Sequence, residues 1–324
     1  MSSQCILKKA DMGKISYVVP CYGSEHTIEE VINNIRDVMN DHKEYDYEVI
    51  LVNDNSPDNV WSVIENMCSK DKRIKAICLA KNFGQHSALM AGYNVCSGDY
   101  VVTIDDDGQT PVNQTFYLVE ELLKGYDVVY GKYADRKDNS FRKFGTAVNN
   151  YMLETLIGKP KDIHLTSFFV ARRYIIKEIC NYRNAFPYIW GLILRTTKNI
   201  ANVTIEHSER IDGESGYTLG KLLSLWMNGF TAFSVKPLRV SAIGGIIFAC
   251  VGVVGILYTV INKIMRPEIM AGYSSLMSML LIIGGMLMLS MGLIGEYIGR
   301  IYLCINTMPQ YVIKKKINSD EEED

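Results

Sequence analysis

The sequence predicts an α/β fold, a mostly parallel sheet with helices on both faces, followed by a C-terminal two-helix transmembrane hairpin. Three observations carry that expectation. Residues 14 to about 235 alternate short, continuous apolar runs with segments of helical periodicity. The polar, turn-rich stretches fall at the ends of those runs. Beyond residue 240, two long stretches carry no charge.

The runs "ISYVVP" (15–20), "YEVILVND" (47–54), "IKAICLA" (74–80) and "DYVVTID" (99–105) are apolar without alternation, the pattern of strands covered on both faces. Between the first two, "SEHTIEEVINNIRDVMNDH" puts Ile28, Val31, Ile32, Ile35 and Met39 on one helical stripe, with Ser24 and Thr27 as candidate N-caps. "DNVWSVIENMCSK" and "GQHSALMAGYNVCSG" fit the next two crossover helices. Strand, helix, strand in repetition builds a parallel sheet, and ligands bind beyond the carboxyl ends of such strands. Those ends read "VVPCYGSE", "NDNSPD", "KNFG" and "DDDGQT".

The hairpin is read from length. Residues 240–261 and 271–295 are uncharged runs of 22 and 25 residues, and a helix needs about 20 to cross the hydrocarbon core. Lys236 and Arg239 precede the first run, and Arg300, Lys314, Lys315 and Lys316 follow the second, against Lys263 and Arg266 between them. By the positive-inside rule that bias is expected to put both termini, and the domain ahead of the hairpin, in the cytoplasm of a multi-pass protein, with the cell (plasma or inner) membrane as the expected location. Gly295 and Gly299, four apart, would let the helices approach closely. The expected organisation is an N-terminal segment 1–13, a cytosolic domain 14–218, a juxtamembrane amphipathic segment 219–239, the hairpin 240–299 and a cytosolic tail 300–324, whose "SDEEED" end is read as solvated. The first residues, "MSSQCILKKADMGK", lack the apolar core of a signal peptide, so the N-terminal part is expected to stay in the cytoplasm.

The chemistry centres on Asp105, Asp106 and Asp107. Three adjacent carboxylates repel one another and resist burial unless partnered. At the exit of a strand they face a pocket, where a divalent cation is their natural partner, and hard oxygen ligands favour Mg²⁺ or Mn²⁺. Such an ion would in turn hold a diphosphate. A formal charge of -2 argues against a nucleic-acid binder. The eight cysteines form no C-x-x-C pair and suit reduced thiols.

In order along the chain, "VVPCYGSE", "VNDNSPD", "NFG", "DDDGQTP", "RIDGESGY" and "GEYIGRIY" resemble the motifs V-V-P-x-Y-N-E, V-D-D-G-S-x-D, N-F-G, D-A-D-L-Q-D-P, R-x-x-G-x-S-K-Y and the close of the second membrane helix. These belong to the membrane-anchored polyprenyl-phosphate glycosyltransferases of family 2, the GtrB-like enzymes and dolichol-phosphate mannose synthase among them, with a GT-A (Rossmann-like) fold. The resemblance implies an inverting hexosyltransferase that moves a sugar from a nucleotide-sugar donor to a polyprenyl phosphate, undecaprenyl phosphate in a bacterium, for cell-envelope glycans. It implies Asp105 and Asp107 as metal ligands and catalytic residues. Pro20, Tyr22, Glu25, Asp54, Asn82, Asp106, Gln109 and Arg136 join Asp105 in binding the donor, with Asp54 at the base. Arg210, Ser215 and Tyr217 would take the acceptor phosphate. Membrane lipids and a separate flippase are implied partners, and the helices offer a surface for a homo-oligomer.

The sequence departs from the family pattern in three places. Asn55 replaces a glycine and Gly216 a lysine, and "KDIHLTSFFVARR" carries Ser167 and Phe169 where an acidic residue and an arginine are usual. Asp162 is the nearest carboxylate for a catalytic base. A phosphate monoester with a second pKa near ~6 is already nucleophilic, so a strong base is less necessary. His26 and His86 are read as exposed helix turns, and His164 and His207 as strand-like, none with metal-ligand spacing. The basic stretch 132–143 and the segment 219–230 suit either an ordinary surface or a membrane interface. A non-catalytic nucleotide-binding or assembly partner is the main alternative. A processive polysaccharide synthase lacks its Q-x-x-R-W motif here, and a retaining glycosidase has no use for the hairpin.

Overall fold

The apolar runs become the inner strands of one sheet. The computed structural model describes residues 13–133, 154, 158–206, 236–265, 273–305 and 308–319. Arg136, Arg210, Ser215, Tyr217 and His207 lie outside the described residues. The chain divides into two units, one of Met1–Gly216 with Pro309–Asp324 and one of Tyr217–Met308.

In the first unit, β1 (Lys14–Cys21), β2 (Asp46–Asn53), β3 (Ile74–Leu79) and β4 (Tyr100–Thr103) follow the four runs closely. Among the described residues they join β5 (Val128–Tyr133), β6 (Phe169–Arg172), β7 (Ile200–Ile205) and β8 (Ile313–Ile317) in the order β7-β5-β6-β4-β1-β2-β3-β8. The pairs β1–β2, β1–β4, β2–β3 and β5–β7 are parallel; β6 runs antiparallel to β4 and β5, and β8 antiparallel to β3.

The connecting helices are α1 (Ile28–Asp41), α2 (Val60–Lys70), α3 (Gln85–Val95), α4 (Thr115–Leu123), α5 (Arg173–Cys180) and α6 (Ile189–Thr196). Side chains alternate across each strand. Tyr17, Val19, Val49, Leu51 and Val102 therefore share one core with Ile28, Ile32 and Ile35 of α1, Ile64 of α2 and Leu118 of α4. Val18, Ile50 and Val52 point to the other face, where α3 packs so closely that a Cβ on Gly92 would lie 2.5 Å from Val18. Each fully buried aliphatic side chain contributes about 1.5–3 kcal/mol. Thr27 precedes α1 without capping it; its hydroxyl is spent on the Asp106 carbonyl at 2.6 Å.

Tyr130 on β5 is fully buried, 5.1 Å from the Phe169 ring, and its hydroxyl has no hydrogen-bond partner among the described residues. Removing an unsatisfied buried hydroxyl without changing shape is stabilising. Tyr130→Phe should therefore raise stability by about 1 kcal/mol. Thermal unfolding of the detergent-solubilised protein, followed by a thiol-reactive dye, checks this through the buried Cys21, Cys68 and Cys96. A lower melting temperature would contradict it.

The segment expected as a tail beyond the membrane contributes β8 instead. Ile313 and Ile317 are half-buried while Lys314, Lys315 and Lys316 are exposed, as suits an edge strand guarded by charge. Lys315 pairs with Glu65 of α2 and lies 5.8 Å from the Trp61 ring. Asn318, at φ 57, closes the strand by donating to the Cys68 and Ile74 carbonyls, each at 2.9 Å. Asparagine tolerates that left-handed backbone.

The second unit holds α7 (Lys236–Met265) and α8 (Tyr273–Ile305). Ser241 and Ser290 meet at 2.9 Å between them. Among the described residues, Ile282–Gly299 is long and apolar enough to cross a membrane. The close approach expected at Gly295 and Gly299 is absent: among the described residues a Cβ on either would meet nothing within 4 Å. The Ser241–Ser290 pairing explains it. Antiparallel register from that point puts Gly295 level with the first residue of α7, and Gly299 beyond it.

Candidate active site

Parallel strands deliver their carboxyl ends to one edge of the sheet, and four loops meet there. The loop after β4 carries the three aspartates, which face different partners. The Asp106 carboxylate accepts the Tyr22 N–H at 2.8 Å and so ties this loop to the one after β1. Asp107 accepts the Gln109 N–H at 3.0 Å. Asp105 receives one donor on each oxygen, Gln85 Nε2 on Oδ1 at 2.9 Å and the Ser167 hydroxyl on Oδ2. Burial pushes the Asp105 carboxyl up to about 6, and the charges of Asp107 and Asp106 add to the rise against the pull of Ser167 and Gln85.

The loops after β2 and β3 are locked by Asp54. This carboxylate is buried, and its oxygens accept the Phe83 and Gly84 N–H groups at 2.7 and 2.8 Å. Gly84 has φ 90, a conformation that favours glycine, and the turn leads straight into α3. Burial raises the Asp54 carboxyl, against the lowering effect of the two amides. Asp54, expected at the nucleotide base, thus has its oxygens engaged in shaping the third loop.

A second network joins the loops after β1 and β2. Gly23 N–H donates to Ser56 Oγ at 2.8 Å, Glu25 N–H to Asp58 at 2.9 Å, and Asn59 N–H to the Glu25 carboxylate at 3.1 Å. Asn55 adopts φ 51, the left-handed geometry that a glycine in its place would supply. Among the expected donor-binding residues, Tyr22 is 53% exposed, its ring open to solvent. Asn82 is exposed, Gln109 half-buried, and Pro20 buried within β1 opposite Val52.

Asp162 is exposed. The residue brought against Asp105 is Ser167, and strand register dictates it. Thr103 pairs with Phe169 across the antiparallel β4–β6 ladder, so two residues past β4 face two residues before β6. Sequence reasoning noted Ser167 only as a missing carboxylate and did not single out Gln85, whose signal is its place at the first turn of the helix after N-F-G. His86, expected on an exposed turn, is partly buried between Tyr188 and Trp190, because α3 is covered on nearly every side. His26 is exposed, and His164 lies exposed in the loop before β6.

The residues fit a hard divalent cation. Both side chains bonded to Asp105 are neutral, and charge crowding by its neighbours leaves the site in want of positive charge. Among the described residues no three His, Cys, Asp or Glu side chains converge into a complete ligand set. That suits an ion held by one or two carboxylates together with substrate phosphates.

The family model for glycosyl transferase family 2 matches residues 16–180, and that for the GtrB C-terminal hairpin matches residues 236–301. The chain is 33% identical over 301 residues, 93% of each chain, to an uncharacterized glycosyltransferase of Bacillus subtilis (strain 168), YkcC. It is 34% identical over 316 residues, 96% of this chain and 95% of the relative, to the undecaprenyl-phosphate 4-deoxy-4-formamido-L-arabinose transferase of Yersinia pestis bv. Antiqua (strain Angola). The fold is also that of the mannosyl-3-phosphoglycerate synthase of Rubrobacter xylanophilus, at TM-score 0.51 and 18% identity over 67% of this chain and 71% of that one.

Proposed function

The chain belongs to glycosyltransferase family 2 and carries the GtrB-type hairpin, and from that premise we propose that it transfers a sugar from a nucleotide-sugar donor to the phosphate of undecaprenyl phosphate, forming a lipid-linked sugar. The observation that carries this reading is full-length similarity, catalytic unit and hairpin together, to a transferase named for that acceptor.

Asp105 and Asp107 would hold a divalent cation, Mg²⁺ or Mn²⁺, which when bound neutralises charge on a departing diphosphate. Gln85 and Ser167 fix the Asp105 carboxylate. Asp106 and Asp54 hold the loops that frame the donor, and the exposed ring of Tyr22 offers a face for the base. The acceptor phosphate attacks the anomeric carbon directly, inverting it. No protein base is needed for a group already ionised at neutral pH, and we assign Asp162 no step. Arg210, Ser215 and Tyr217 remain the candidates for receiving that phosphate.

The hairpin associates the chain with a membrane. Two crossings, with the catalytic unit on the cytoplasmic side, are the reading we favour, supported by the basic residues around the helices. Strand β8 supports it independently. The chain leaves the sheet before α7 and rejoins it after α8, and one sheet cannot lie on both sides of a bilayer, which favours an even number of crossings. A homo-oligomer through the helices and a separate flippase complete the proposal.

The test uses purified protein in detergent with undecaprenyl phosphate, Mn²⁺ or Mg²⁺ and a panel of radiolabelled nucleotide sugars. Label should enter the organic phase with one donor. Folded protein that moves label from none of them sinks the reading.

A further inference from the structure

We infer that His86, Tyr188 and Trp190 form an aromatic clamp whose work is to position the Asp105 carboxylate. The inference rests on the role given to Asp105 above. The three rings meet edge to face, with centroids 5.3 Å apart for His86–Tyr188, 5.5 Å for His86–Trp190 and 5.6 Å for Tyr188–Trp190, at interplanar angles of 71°, 84° and 87°. Such pairs favour this geometry, because a ring edge is electropositive and a ring face electronegative.

Each side of the clamp leads to one oxygen of Asp105. His86 is the second residue of α3, and Gln85 just before it donates to Oδ1. The start of α3 is also held by the amides that Asp54 accepts, so packing on His86 and bonding at Gly84 together aim Gln85. On the other side Trp190, the second residue of α6, donates its Nε1–H to the Thr166 carbonyl at 3.1 Å. The Thr166 hydroxyl is anchored in turn on the Gly131 carbonyl at 2.8 Å. The next residue, Ser167, donates to Oδ2. One neutral donor per oxygen fixes the plane of the carboxylate and leaves its charge for a cation.

His86 contributes shape. Its Nδ1 is buried without a hydrogen-bond partner among the described residues. Burial holds the imidazole neutral, with its pKa down at about 4. A ring in that condition can pack, and a phenyl ring would pack as well. The three side chains are positioning residues, acting through Gln85 and Ser167.

The test measures Mn²⁺ affinity of the full chain in detergent, from the electron paramagnetic resonance signal of free Mn²⁺, beside melting temperature. Groups that orient metal ligands typically alter affinity 10–100-fold when removed. Trp190→Phe, which keeps a ring and loses the Nε1 donor, should raise the Mn²⁺ dissociation constant about tenfold at a nearly unchanged melting temperature. His86→Ala should do the same, and His86→Phe should restore the wild-type value. Asp105→Asn is the reference and should weaken Mn²⁺ most. If Asp105→Asn loses Mn²⁺ while Trp190→Phe and His86→Ala bind it like wild type, the clamp is refuted and the role of Asp105 stands. If His86→Phe is as weak as His86→Ala, the imidazole matters and the clamp as drawn is wrong. Wild-type affinity in Asp105→Asn overturns both the metal reading and the inference built on it.

Discussion

Asp105→Asn should abolish sugar transfer and yet yield a protein that, free of metal, melts at a higher temperature than wild type. The loss follows from the proposed role of Asp105: it would help hold the cation that neutralises charge on the departing diphosphate, and removing stabilisation of developing charge costs about 10²–10³ in kcat. The gain follows from the same burial. The Asp105 carboxyl sits at about 6 against an ordinary value of 3.8, so the metal-free fold prefers it protonated. Ionising it costs the folded state nothing below about pH 4, a growing amount up to about pH 6, and a constant amount on the order of 2–3 kcal/mol above that. Asparagine keeps the shape and escapes the penalty. Melting curves of both metal-free proteins, taken from pH 4 to 8, should converge at the acid end and separate towards neutrality with the variant higher. A variant that is inactive and also melts lower at pH 7 would make Asp105 a structural residue.

Glu48→Ala should be among the most destabilising substitutions in the catalytic unit, for a reason unconnected with catalysis. The Glu48 side chain is only 2% exposed, at the end of the sheet opposite the aspartates, with Lys14 at 2.9 Å and Lys75 at 3.0 Å. Ser16 Oγ and Ser97 Oγ donate to its two oxygens at 2.6 and 2.9 Å, and the Ser97 N–H donates as well. Burial alone would raise its pKa, but the hydrogen bonds of Ser16, Lys14, Ser97 and Lys75 outweigh it and bring the group from 4.5 down to about 2. A depressed carboxyl stabilises the fold above its unfolded pKa. That contribution, about 3 kcal/mol, is present above pH 4.5 and is lost as the pH falls towards 2. Removing one member of a buried ion cluster costs about 3–5 kcal/mol, and partial exposure of both lysines sets the expectation at the lower end. Chemical unfolding at pH 7 and pH 3 measures both effects: the gap between Glu48→Ala and wild type should shrink at pH 3. A gap of equal size at both values would assign the loss to packing alone.

How much of this was legible in the sequence depended on where the information lay. Strands β1 to β4 were legible because both faces of each are covered, leaving unbroken apolar runs, and the aspartates were legible because carboxylates end such a run. Strand β8 was not. A sequence with three consecutive lysines reads as solvated, and only pairing with β3 makes a strand of it. Ser167 was visible solely as a departure from a pattern; its bond to Asp105, 62 residues away, is set by a ladder register that no local signal records. His86 misled because the first turn of a helix is ordinarily exposed, whereas α3 is packed on the sheet, α5 and the aromatic residues before and within α6.

Strand β8 also imposes an order on manufacture. A ribosome must make both long helices before the strand that covers β3 exists, so a nascent chain carries β3 with its outer N–H and C=O groups bare and Cys78 beside them. Such an edge recruits foreign strands. Every copy of the protein therefore passes through a sticky, unfinished stage that outlasts synthesis of the hairpin, and the arrival of five residues, Ile313–Ile317, ends it. A chain broken off within the helices stays in that stage, and the cell's quality control has an exposed strand by which to find it.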